Sequence, residues 1–96
     1  MQEKEQYPDK IKKAVALSYN KGDIAPKVIA KGQGHLAEKI IEKAKEENVP
    51  IKEDEKISEV LTKLDLGEYI PQELYEAIAE ILVFVDDRDR IKSTIY

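Results

Sequence analysis

From Lys27 to Lys52 the chain reads Lys-Val-Ile-Ala-Lys-Gly-Gln-Gly-His-Leu-Ala-Glu-Lys-Ile-Ile-Glu-Lys-Ala-Lys-Glu-Glu-Asn-Val-Pro-Ile-Lys. Lys27–Lys31 holds adjacent β-branched residues bounded by a proline and a glycine, which suits a short strand. Gly32-Gln33-Gly34 then opens a helix from His35 to about Glu47, whose apolar stripe is Leu36, Ala37, Ile40, Ile41 and Ala44. Asn48 and Pro50 stop that helix, and Val49–Lys52 has room only for a short strand. A strand, a helix of about a dozen residues and a second strand predict a βαβ unit, its strands parallel and its crossover right-handed.

Toward the N-terminus, Pro26 cannot donate a ladder hydrogen bond and sits best just before its strand. Asn20-Lys21-Gly22-Asp23 supplies turn chemistry, and from Lys13 to Tyr19 two sets of side chains alternate. Val15, Leu17 and Tyr19 fall on one face, and the small Ala14, Ala16 and Ser18 fall on the other, beneath a packed helix. Residues 1–10 are polar, show no apolar period and read as a lead-in. Toward the C-terminus, Asp54 is placed to cap a helix with Ile57, Val60, Leu61 and Leu64 on one face. Gly67 punctuates a turn, Pro71 fits a first helical position, and Leu74, Ile78, Ile81, Leu82 and Val85 extend a last helix to about Arg88. Residues 89–96 are polar apart from Ile91 and Ile95 and read as a tail, helical or frayed. The expectation is one α/β domain over residues 11–88, a small mixed sheet of about three strands covered by three or four helices.

Composition narrows the function classes. Ninety-six residues support one modest core. A net charge of −4 and a pI near 5.1 weigh against nucleic acid as the main partner. With no cysteine, disulfides, thiol nucleophiles and thiolate metal sites are excluded together. The longest apolar run, Ile81–Val85, is far short of the roughly 20 residues that span a bilayer. The first residues lack a signal peptide's basic start and apolar core. A cytoplasmic domain without membrane insertion is expected.

No catalytic constellation emerges. Gly32-Gln33-Gly34 invites a phosphate-binding reading but lacks the third glycine of a dinucleotide fingerprint and the ending of a P-loop. His35 is the sole histidine and has no second imidazole or cysteine with which to share a metal. Glu53-Asp54-Glu55 and Asp86-Asp87 lack calcium-loop spacing and read as solvated helix ends. Ser18, Ser58, Ser93, Thr62 and Thr94 belong to no recognisable nucleophile motif. No enzyme, cofactor or metal is expected. The alternative function is a small nucleotide- or RNA-binding module using the Gly32–Gly34 turn.

Four blocks, in one order, carry a family likeness: Ala14-Val15-Ala16-Leu17-Ser18-Tyr19, then residues 25–32 (Ala-Pro-Lys-Val-Ile-Ala-Lys-Gly), then residues 49–54 (Val-Pro-Ile-Lys-Glu-Asp), then residues 66–85. Together they resemble the C-terminal cytoplasmic domain of the FlhB/YscU family, the substrate-specificity switch proteins of flagellar and virulence type III secretion. The resemblance runs from about Ala14 to Val85. It implies a role in protein export, with export substrates and cytoplasmic components of the export gate as partners and a location at the inner face of the membrane. It also implies an apolar docking patch made of Ala25, Pro26, Ala79 and Leu82.

The sequence departs from the family where the family cuts itself. In members the first matching strand follows an Asn-Pro-Thr-His motif, whose asparagine amide closes an imide on its own carbonyl and cleaves the chain. Those positions here are Asp9, Lys10, Ile11 and Lys12, and the chain contains no Asn-Pro bond. The expectation is a stand-alone, non-cleaving relative that corresponds to the fragment members keep after cleavage. Members also have a strand before the motif. Its absence here predicts an empty sheet position and an exposed edge open to a partner strand.

Overall fold

The computed structural model describes residues 11–20, 22–79 and 90–96. Strand β1 (Lys13–Asn20) pairs antiparallel with β2 (Lys27–Gln33), followed by helix α1 (His35–Glu46) and the two-residue strand β3 (Ile51–Lys52). Helix α2 (Glu55–Leu61) comes next, then a 3-10 turn at Gln72–Leu74 that runs into α3 (Tyr75–Ala79), and finally strand β4 (Arg90–Ile95). The sheet order is β2-β1-β4-β3, with β1 and β4 antiparallel and β4 and β3 parallel. The α/β class and the mixed sheet are as the sequence implies, but the sheet has four strands rather than three.

The fourth strand is the stretch read as a polar tail. Arg90–Ile95 lies between β1 and β3, and Ser93, Thr94 and Ile95 are buried. Two small polar side chains in this stretch weaken its hydropathy, yet a central strand needs shape and backbone pairing more than a greasy surface. This insertion also corrects two other expectations. The position beside β1 is not empty, because β4 pairs with it from Val15↔Ile95 to Asn20↔Arg90. Strand β3 runs parallel to β2, as a βαβ unit requires, but the two are separated by β1 and β4.

Each face of the sheet has its own cluster. Val15, Leu17, Val28, Leu61, Ile70, Ile78 and Ile95 form the larger, with Ile57, Leu64 and Leu74 against it. On the other face Ala14, Ala37 and Ile41 pack with Ile40, Ile51 and Tyr96, so α1 lies over the small side chains of β1. Fully burying one large aliphatic side chain is worth about 1.5–3 kcal/mol, so the larger cluster carries most of the stabilisation. The alternation along β1 thus separates the faces as expected. Two stripe positions do not: Leu36 and Val60 are exposed at the margins of α1 and α2.

Helix ends follow local chemistry. The Asp54 carboxylate accepts the Ile57 amide at 3.0 Å, capping α2 as its position predicts. At the end of α1, Asn48 takes a left-handed φ of 59°. Its amide donates to the Lys45 carbonyl and that of Val49 to the Ala44 carbonyl, the pairing of a Schellman stop. Pro71 differs from expectation. It stands just outside the helix in extended conformation, at φ −66° and ψ 150°, and the first turn is 3-10 rather than α. The continuation of that helix toward Arg88, with Ile81, Leu82 and Val85, lies outside the described residues.

Candidate functional site

The turn before β2 brings together the residues with the best-defined surroundings. The Asn20 amide donates to the Asp23 carboxylate and the Asp23 amide to the Asn20 carbonyl, both at 2.9 Å, which closes the hairpin connection. The chain then runs through Ile24, Ala25 and Pro26 into β2. Across from it the connector after α2 lies along the outer edge of β2. The Ile70 amide donates to the Pro26 carbonyl, the Val28 amide to the Glu68 carbonyl and the Gly67 amide to the Val28 carbonyl, at 2.8, 3.0 and 2.7 Å. Lys27 and Tyr69 form an isolated antiparallel bridge. Farther along, the Lys31 ammonium donates to the carbonyls of Thr62 and Leu64. The edge of β2 is therefore clothed by residues 62–70 of the same chain.

This clothing decides what of the expected patch reaches solvent. Ala25 and Pro26 are both buried, held beneath the connector, whereas Ile24 is 77% exposed and Tyr69 41% exposed. Ala79 is the last residue of α3; its side chain, and Leu82 altogether, lie outside the described residues. Of the four expected residues, the structure brings Ala25 and Pro26 together. It adds Ile24, Leu66 and Tyr69 as exposed apolar side chains on the same two segments. Ile24 was legible as an apolar residue inside a polar turn. Tyr69 was not, because the long-range pairing of residues 67–70 with residues 26–28 is what places it at the edge of β2.

The glycine turn has a packing explanation. Gly32 lies within β2, and a Cβ built there would collide with the Leu36 side chain. Gly34 caps α1 with a φ of 59°, and its amide donates to the Lys12 carbonyl at 2.9 Å. An anion at this helix start would also meet Glu38 in the first turn. His35 is fully out in solvent, 3.6 Å from the Glu38 carboxylate. Among the described residues no group of three or more His, Asp or Glu side chains is placed to hold a metal ion. No helix among them is long and apolar enough to cross a membrane.

A mixed four-stranded sheet with an Ala-Pro-led edge strand, a helix over its small-residue face and a connector along its edge defines the class, a small mixed α/β domain. Residues 11–85 match the model of the FlhB HrpN YscU SpaS family, and the chain belongs to that family. The uncharacterized protein YlqH of Bacillus subtilis is 49% identical over 83 residues, covering 85% of this chain and 87% of YlqH. The flagellar biosynthetic protein FlhB of Yersinia enterocolitica is 41% identical over 82% of this chain, and that of Escherichia coli 42% identical over 75%. These matches cover 21% and 19% of the two FlhB proteins, so the chain spans about a fifth of their length.

Proposed function

We propose that this domain works in flagellar or type III protein export as a non-enzymatic docking module that engages export substrates or cytoplasmic components of the export gate. Membership of the FlhB HrpN YscU SpaS family over residues 11–85 supports the export role. The observation that carries the docking reading is the Ile24-Ala25-Pro26 turn. Its buried Ala-Pro pair is pinned by the connector, and an exposed isoleucine and tyrosine project from the two pinned segments. A rigid backbone with a few exposed apolar side chains suits recognition of a short apolar peptide segment, because little entropy is lost on ordering the receptor.

In this reading Ala79 and Leu82 complete the patch from the last helix, and the domain resides at the inner face of the membrane beside the export gate. Purified cytoplasmic gate components and export substrates, immobilised and offered the domain, supply the test. Ile24→Asp should reduce capture at least tenfold, as should Leu82→Asp, while Val60→Asp on the exposed margin of α2 should leave it unchanged. Equal capture of all four proteins would overturn the docking reading. The competing nucleotide or RNA reading is disfavoured by the packing role of Gly32 and by Glu38 at the helix start, and it predicts binding to nucleotides or short RNA at low salt.

A further inference from the structure

On the α1 side of the sheet, away from the Ala25–Pro26 turn, there is a pocket of about 260 Å³. Its origin is a register shift. Ala16 pairs with Ala30, but Leu17 pairs with Val28, so Ile29 is an extra residue in β2. The bulge sends Val28 into the larger cluster and leaves Ala30 beside Ala16 on the α1 face. Thr94 of β4 stands opposite Ala16 on the other side, so three adjacent strands present small side chains at one level. Ala44 and Ile40 of α1 line the pocket from the helix side, together with Val49 beyond the helix end. Central-strand residue Ala16 is consequently only half-buried, although its neighbours Ala14 and Leu17 are fully enclosed.

The charged groups around this apolar space are unequal in sign. Among the described residues Lys39, Lys43 and Lys92 line it, against Glu47, in a chain whose net charge is −4. Glu47 lies 3.6 Å from Lys43, which leaves Lys39 and Lys92 as the cationic excess at the rim. An enclosed dry cavity of about 150 Å³ lined by aliphatic side chains takes up benzene, so this larger, partly open space has room for an aliphatic chain of about six to eight carbons. A carboxylate at the end of such a chain would find the lysines while its tail lay over Ala16, Ala30 and Ala44. We propose that the pocket between α1 and the sheet binds a small amphiphilic carboxylate, with a linear aliphatic tail in the apolar floor and its head between Lys39 and Lys92.

Octanoate titrated into the full chain, followed by amide resonances, tests this. Saturable shifts at Ala16, Ala30, Ile40, Ala44 and Thr94 are expected, with a dissociation constant on the order of 0.1–1 mM. Octan-1-ol, which has the tail without the charge, should bind at least fivefold more weakly. The Lys39→Ala/Lys92→Ala variant should weaken octanoate by a similar factor, and Ala30→Leu, which fills the floor, should abolish the shifts. Ala16→Val offers a second way to fill the floor if Ala30→Leu does not fold. Octanoate that shifts none of these residues, that binds no better than octan-1-ol, or that still binds a folded floor-filled variant would overturn the proposal.

Discussion

Leu36 lies across Gly32, where the start of α1 packs on β2. A Cβ on Gly32 would come within 2.8 Å of the Leu36 Cβ, atoms fixed by the backbone of each element, so rotating the leucine side chain does not relieve the collision. Gly32→Ala should therefore force α1 outward and destabilise the domain by about 1–3 kcal/mol, the range for an overpacked contact. Leu36→Ala in the same chain should recover only part of that loss, since it removes the outer carbons and keeps the Cβ. Chemical denaturation of the two variants and the original measures both effects, and a neutral Gly32→Ala would show that the contact constrains nothing. The same contact explains why the glycine pair could be read in two ways from sequence. A phosphate cradle and a tight strand-to-helix crossing both require a residue without a side chain. The position of Leu36 and the Glu38 carboxylate in the first turn favour the second.

Among the elements, β4 carries the largest difference between sequence and structure. Strand β1, strand β2, helix α1 and the Asp54 cap were legible because each shows its period or its turn chemistry within a dozen residues. Arg90–Ile95 has the β-branched Ile91, Thr94 and Ile95 but sets a lysine and a serine among them, and its burial depends on β1 and β3, which are distant in sequence. Nothing local marks it as central. The same long-range pairing fills the edge that would otherwise accept another chain. Deleting residues 90–96 should leave β1 unpaired on one side and β3 without any described partner strand, and it removes Ile95 from the larger cluster. The shortened chain should lose its cooperative unfolding transition and the dispersion of its amide resonances. Native-like dispersion would show that β4 is dispensable. The pocket was equally hidden, because the bulge that exposes Ala16 and Ala30 changes register without any glycine or proline to announce it.

For the molecule as a whole, the question is whether a domain of this family can exist without the family's cutting chemistry. Imide closure needs an asparagine whose amide attacks its own carbonyl, and cleavage is driven forward when a proline follows and the turn is strained. The positions where the family resemblance would place the motif hold Asp9, Lys10, Ile11 and Lys12, and neither Asn20, before Lys21, nor Asn48, before Val49, precedes a proline. Asn48 is the one described asparagine in a left-handed conformation, but its backbone N–H and that of Val49 are both committed to closing α1, which holds the local backbone in place. The purified chain should therefore keep its intact mass through days at neutral pH, as read by mass spectrometry. Replacing residues 9–12 by Asn-Pro-Thr-His asks the converse. If strain at the replaced residues is supplied by the rest of this domain, the replacement should cleave between the new asparagine and proline. If the strain comes from a strand that pairs upstream of the motif, the replacement stays intact, because β4 already occupies the free side of β1. The occupied sheet predicts the second result, and a discrete cleavage product would place the source of strain within residues 11–96.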